Sequence, residues 1–242
     1  MIKGLYHGGA GMIARMTQHE AVSNNLANIN TTGYKADRRI FRDTVCSELL
    51  LAGPAERGGM ELDKFYTLHT DFSQGSFTET RNPLDLAIAG KGFFVIETGD
   101  AVGYTRNGNF TLNADGELVD SRGNRVMGDQ GPIRVQGKAV SVTDSGELLV
   151  DGVNAGKLKL VDFEDLQTVK SNDHGYYAPE SGVDPIPLES GKIMQGYLEG
   201  SNVNPIREMI QMIELNRSYE ACQKSINAED DALKLSVNEV AR

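Results

Sequence analysis

The sequence predicts an α+β protein. Long helices at the two ends pack in a coiled-coil-like assembly domain, and a mainly-β domain lies between them. Three observations predict it. Residues 205–242 carry an apolar repeat of seven with no glycine or proline after Pro205. The first thirty residues carry a weaker helical stripe. The middle alternates short apolar runs with Asp-Gly and Asn-Gly turn signals.

At the N-terminus, Ile2, Leu5, Met12, Met16 and Leu26 fit one helical stripe, with Gly9, His19 and Ser23 at the remaining seam positions. Gly4, Gly8, Gly9 and Gly11 each cost about 1 kcal/mol relative to alanine in a helix, so this helix is expected to be weak alone. Packed against close neighbours, the same glycines give room for backbone approach. The helix is expected to end near Asn30, with Thr31-Thr32-Gly33 as the stop signal.

Residues 36–75 read as a linker or extended segment and 76–200 as a β-rich outer domain. Turn signals recur at Thr98-Gly99-Asp100, Asn107-Gly108-Asn109, Asp115-Gly116, Arg122-Gly123-Asn124 and Asp144-Ser145-Gly146. Asp115-Gly116-Glu117-Leu118 is echoed by Ser145-Gly146-Glu147-Leu148, which predicts two similar hairpins and not a repeat array. Residues 165–192 hold few apolar side chains and three of the seven prolines, and read as an irregular crossing segment.

The C-terminal helix starts well. Asn204 can cap its free N–H groups, Pro205 suits the first helical position, and Glu208 faces the positive end of the helix dipole. Met212, Tyr219, Ile226, Leu233 and Val240 recur every seven residues, with Leu215 and Cys222 between them and Glu229 and Ser236 interrupting that second row. A helix over 205–242 is about 57 Å long, too long to lie on one small domain. It is grouped with the N-terminus as a helical assembly domain, 1–35 plus 201–242. The same stripe also suits a long amphipathic helix packed on its own domain.

Composition narrows the function classes. The chain has 242 residues, 39% of them apolar, and a formal net charge of −10. That charge disfavours nucleic acid and anionic membrane surfaces, because both need a basic patch. No apolar run approaches the ~18–20 residues that span a bilayer, and the first ten residues lack the apolar core of a secretory signal peptide. Taken alone, that implies a cytoplasmic protein. Cys46 and Cys222 are a single distant pair, no disulfide framework, and Cys222 reads as a small buried thiol on the helical stripe.

The chemical motifs are weak. Gly8-Gly9-Ala10-Gly11 has no strand before it to make a phosphate-binding loop. Counted as a calcium loop from Thr111, Asn113 and Asp115 fall in place but position twelve is Arg122, so hairpin turns explain these residues better. His7, His19, His69 and His174 have no metal-ligand spacing, and no Gly-x-Ser-x-Gly elbow occurs. Glu229-Asp230-Asp231 reads as a solvated or inter-subunit face. No catalytic, cofactor or metal residue is expected. An enzyme or a small-ligand-binding β-domain would need a constellation of convergent polar residues.

Three stretches carry a resemblance. Ser23-Asn24-Asn25-Leu26-Ala27-Asn28-Ile29-Asn30-Thr31-Thr32-Gly33-Tyr34-Lys35 resembles the N-terminal signature of the bacterial flagellar axial proteins, the rod, hook and hook-associated subunits. Asn82 to Phe94, followed by Tyr104 to Phe110, resembles their core β-domain. Gln195 to Asn204 and the helix after it resemble their C-terminal signature. Lys91 departs from the pattern, where the family often has an acidic residue. The opening Met-Ile-Lys-Gly-Leu-Tyr and the modest length are most similar to the proximal-rod branch, with the distal-rod and hook-type branches as alternatives.

The resemblance implies a structural subunit, exported by the flagellar type III apparatus without a cleavable signal peptide. Such subunits polymerise helically, with copies of themselves and other rod proteins, into the periplasmic drive-shaft that transmits torque from motor to hook. Surrounding ring proteins are further implied partners. Terminal helices form the inner tube and the β-domain its outer layer. The assembly interface is then expected at Leu5, Met12, Asn24, Asn25, Leu26, Asn28, Met212, Leu215, Tyr219, Cys222, Ile226, Leu233 and Val240.

Overall fold

A computed structural model describes residues 2–41, 66–99, 101–137, 139–172, 175–179, 182–188 and 191–240. Side chains are described for these residues except 2–8, 10, 39–41, 66–68, 233 and 236–240. Cys46 and most of the expected linker therefore lie outside the described residues.

The fold is α+β, with a helix at each end and a mostly β centre. Helix α1 spans Ile2–Ala27 and helix α2 spans Pro205–Val240. Between them lie nineteen short strands among the described residues: β1 (Ala36–Phe41), β2 (Tyr66–Asp71), β3 (Phe77–Glu79), β4 (Leu86–Ala89), β5 (Phe93–Thr98), β6 (Ala101–Thr105), β7 (Phe110–Leu112), β8 (Leu118–Asp120), β9 (Arg125–Gly128), β10 (Gly131–Pro132), β11 (Val140–Val142), β12 (Glu147–Val150), β13 (Val153–Lys157), β14 (Leu160–Asp162), β15 (Val169–Ser171), β16 (Tyr177–Pro179), β17 (Ile186–Pro187), β18 (Lys192–Gln195) and β19 (Tyr197–Glu199). The chain divides into a helical unit, containing α1, α2 and most of the β1–β2 ribbon, and a β unit of Asn28–Ala36 with Thr70–Val203.

In the helical unit, α1 stops three residues before the expected Asn30. Asn28 takes the chain out of the helix: its carbonyl accepts the Thr31 N–H at 3.1 Å and its side-chain oxygen accepts the Thr31 hydroxyl at 3.1 Å. The start of α2 is capped as the sequence predicts. The Asn204 side chain accepts the Arg207 N–H at 3.1 Å, and its carbonyl accepts the Glu208 N–H at 3.0 Å.

In the β unit, one large antiparallel sheet runs in the order β15-β16-β6-β5-β9-β8-β7, with β10 added on β9 and β14 joining β5 to β17. Beside it stand the three-stranded sheet β11-β12-β13 and the pairs β18-β4 and β19-β3. Strand β5 is buried along Phe93-Phe94-Val95-Ile96 because the sheet is covered on both faces. Successive side chains point to opposite faces, so Phe94 and Ile96 join one apolar cluster with Phe110, Leu118 and Leu148, while Phe93 and Val95 join another with Tyr104, Phe163 and Tyr177. Residues 165–192, expected to be irregular, instead contribute β15, β16 and β17 to the large sheet. These strands are too short for their few apolar residues to show a period.

Among the described residues, one turn recurs four times. At Asn113–Glu117, Asp120–Asn124, Thr143–Glu147 and Asn172–Tyr176, the first carbonyl accepts the fourth residue's N–H, and the first N–H donates to the fifth carbonyl. The first side chain also accepts the fifth N–H. The fourth residue is always glycine, at φ of 74°, 86°, 85° and 73°, the left-handed region where other residues are strained. This is the three-residue hairpin loop with a glycine bulge. The two hairpins expected from the Gly-Glu-Leu echo are therefore members of a set of four. The Asn113 side chain that a calcium loop would use instead holds the hairpin backbone.

Candidate assembly site

The two helices run antiparallel in a constant register. A Cβ added to Gly11 would stand 3.7 Å from Cys222 Sγ, an ordinary van der Waals contact. Further along, Asn25 Nδ2 donates to Glu208 Oε2 at 3.3 Å. Moving fourteen residues forward in α1 therefore moves fourteen residues back in α2. Along α2, Leu215 is buried and Met212, Cys222 and Ile226 are half-buried, while Tyr219 stands at the edge of exposure. The expected seam is thus the better-covered side of α2, and Cys222 is a half-buried thiol lying against Gly11. Leu233 and Val240, at the far end of the seam, and Leu5 in α1 have side chains outside the described set.

On α1 the structure corrects the expected stripe. Gly11 and Asn25 are the residues shown against α2, and the apolar residues that α1 buries are the small Ala21 and the medium Val22. Met16, predicted on the buried stripe, is 59% exposed, and Met12 and Leu26 are only half-buried. Counting large apolar residues misses this face because small side chains are what let two backbones approach. On α2, Ile206 is 69% exposed, and Met209, Ile210 and Ile213 are about half exposed. These four lie on the side away from the seam, since Ile206, Ile210 and Ile213 recur at helical spacing out of phase with Leu215. Helix α2 thus carries a second apolar side that none of the described residues covers.

The motif Asn24 to Asn28 divides by role. Asn24 is exposed, Leu26 is half-buried, and Asn28 makes the turn already described. Asn25 is the buried member. Its side-chain oxygen accepts the Asp37 N–H at 2.9 Å and its amide donates to the Asp37 carbonyl at 2.9 Å, as a strand neighbour would. The same amide nitrogen reaches Glu208, which is only 7% exposed. Stripe counting does not find this pair, because a polar residue on a helix reads as surface.

Within the β unit, the tail of the N-terminal signature meets the C-terminal one. Lys35 and Glu199 form an ion pair of 2.6 Å with both side chains fully buried. Lys35 also donates to the Ser73 carbonyl at 2.7 Å, and Glu199 accepts the Gly75 N–H at 2.9 Å. Arg106 stands 3.5 Å from the other Glu199 oxygen, donates to the Gly90 carbonyl at 2.7 Å and lies over the Phe93 ring. Burial pushes the Lys35 ammonium below its ordinary pKa, and Glu199 partly opposes that. Burial does the same to Arg106, again opposed by Glu199. Gly33, at φ 70°, passes so close to the Asn107 backbone that a Cβ would collide with it. Asn202 completes the junction by accepting the Ala36 N–H at 2.8 Å and donating to the Asp71 carbonyl at 2.7 Å.

Most of these buried groups are paired with one another, which suits a joint; Glu199 Oε2 has only the ionic contact with Arg106, and Arg106 Nε is buried without a hydrogen-bond partner. Among the described residues, no cluster of three or more His, Cys, Asp or Glu could hold a metal ion, and no helix is long and apolar enough to cross a membrane.

Comparison with known proteins covers most of the chain. Residues 5–35 match the model of the flagella basal body rod protein family. Residues 87–150 match that of the flagellar hook protein FlgE/F/G D1 domain, and residues 194–239 that of the flagellar basal body rod FlgEFG protein C-terminal region. Flagellar basal-body rod protein FlgF of Caulobacter vibrioides is 33% identical, over 100% of this chain and 98% of its own length. Flagellar basal-body rod protein FlgG of Buchnera aphidicola subsp. Schizaphis graminum is 31% identical over 97% of this chain and 98% of its own. Flagellar hook-basal body complex protein FlhO of Bacillus subtilis is 30% identical over the whole of both chains.

Proposed function

The chain belongs to the flagellar basal-body rod protein family and is a structural subunit of the rod, not an enzyme; from that premise we propose that it polymerises helically in the proximal rod, passing torque from motor to hook. Its place in the cell is the flagellar basal body. In this reading, residues 1–35 with 201–242 build the inner tube, 36–75 link the layers, and 76–200 stand outside it. The partners are further copies and other rod proteins. The surrounding rings and the flagellar type III export apparatus, which delivers the chain to the periplasmic rod, complete the set.

The observation that carries the reading is the second apolar side of the C-terminal helix. A helix that buries one stripe and still exposes Ile206, Met209, Ile210 and Ile213 is covered on one side only. On α2 the seam residues Met212, Leu215, Tyr219, Cys222 and Ile226, with Leu233 and Val240 further along the repeat, hold the helix in position, while Leu5, Met12 and Leu26 are the interface residues proposed on α1. Asn24, Asn25 and Asn28 fix the entry to the junction. The outward isoleucines meet the next subunit.

The opening Met-Ile-Lys-Gly-Leu-Tyr and the modest length favour the proximal rod, and a distal-rod or hook-type subunit is the alternative. Electron microscopy of isolated basal bodies carrying a labelled copy tests the choice: density at the motor end of the rod supports the proximal place, and density next to the hook removes it. The assembly itself is tested with Ile226→Asp, expected to abolish polymers while leaving the melting of the β unit unchanged.

A further inference from the structure

We propose that Asn25, acting on Glu208, is the residue that sets the register of α1 along α2. The inference goes beyond the rod assignment and does not depend on it. Helix α1 meets α2 at Gly11 and buries only small or medium apolar side chains, Ala21 and Val22, while the α2 seam buries Leu215 and half-buries Met212, Cys222 and Ile226. Contacts of this kind are nearly equivalent after a slip of one turn, because one shallow apolar position replaces another. A buried polar pair is not equivalent. If α1 slides by a turn, Glu208 loses its amide donor and stays desolvated, which is costly. A single buried asparagine selects one register in coiled coils on the same grounds.

Asn25 is suited to this because its own position is fixed from a third direction. Its amide pairs with both the N–H and the carbonyl of Asp37, at 2.9 Å each, which anchors α1 to the first strand after it. The remaining amide hydrogen then faces Glu208, while Glu214 and Glu220, the next glutamates along α2, are exposed. Aspartate at position 25 would lose both donors and set two carboxylates together, and leucine would leave Glu208 buried without this bond.

The test reads register directly, in the full chain with Cys46 replaced by serine. Gly11→Cys faces Cys222 in the native register. Cys222→Ser combined with Ser218→Cys or with Ser225→Cys moves the second thiol about one turn either way. Limited oxidation followed by mapping of the intramolecular disulfide gives the share of each register. With Asn25 and Glu208 present, the 11–222 bond is expected to form at least about tenfold faster than either alternative, a ratio equal to roughly 1.4 kcal/mol. The decisive variant is Asn25→Leu with Glu208→Leu, which removes both polar groups and adds apolar contact, so the helix pair persists. There the three rates are expected to converge to within about threefold while their sum is unchanged. Persistence of the tenfold preference for 222 overturns the proposal. A uniform fall at all three positions also overturns it, because that marks a residue needed for stability and not for register.

Discussion

In the β unit, strand β5 buries four consecutive large side chains between two apolar clusters, and the turns close on their own side chains. In the helical unit, α2 buries Leu215 yet leaves Ile206 and its neighbours on the far side in water. Charge follows the same division. The β unit seals Lys35 and Glu199 away completely, whereas Lys234 on α2 pairs with Asp230 at 2.7 Å on an exposed surface, a contact worth little. One unit covers its apolar surface with its own chain, and in the other an apolar side of α2 is left uncovered by the described residues. The lesson is that the two units should respond to mutation through different observables, stability for one and assembly for the other.

The sharpest way to break that contrast is Ile210→Asp. It should abolish polymer formation and motility while the β unit melts as before; a lowered melting temperature with polymers intact would reverse the assignment of roles. Next is Lys35→Ala, which leaves Glu199 buried opposite Arg106 alone. Breaking one partner of a buried pair costs about 3–5 kcal/mol, read by urea unfolding of the β unit. Phe94→Ala should cost a similar 3–5 kcal/mol or so by opening the larger cluster, again without a direct effect on the helix pair.

Gly9→Ala separates the units from the other side. Nothing lies within 4 Å of the added methyl, so α1 gains about 1 kcal/mol of helix propensity and its amide exchange slows, with no change in β-unit melting.

The smallest effect is on pH dependence. Burial first, and then the hydrogen bond to Asp120, push the Tyr176 phenol from 10.0 up to about 12. Because the folded value is raised, its contribution is complete below pH 10 and is lost as pH rises through 12. Tyr176→Phe should flatten the melting temperature over that window, while the helix pair is indifferent to it.

Much of this contrast is legible in the sequence, but unevenly. The seam of α2 shows because Met212, Tyr219 and Ile226 repeat over many turns, and the hairpins show because glycine must stand where φ is positive. The packing face of α1 does not show, since Gly11, Ala21 and Val22 contribute closeness and not bulk. Asn25 and Lys35 are hidden for a different reason. A polar residue reads as solvated until its distant mates, Asp37 with Glu208 and Glu199 with Ser73, are brought beside it, and pairings across the chain leave no local period. The outward isoleucines are legible as apolar residues. Only the structure shows that they lie on the side α1 leaves uncovered.

The pairing of β3 with β19, and of β4 with β18, has a consequence in time. Phe77 finds Glu199 as its partner, and Ile88 finds Ile193, so the sheet edges that appear early in synthesis wait for strands made near the end. Lys35 waits longer still for Glu199. Contacts of such long sequence separation form slowly, because loop closure precedes any reward. A chain still being made therefore leaves these two strand pairs and the Lys35 junction open until its last strands are present. The junction is, in that sense, a clock as well as a clasp.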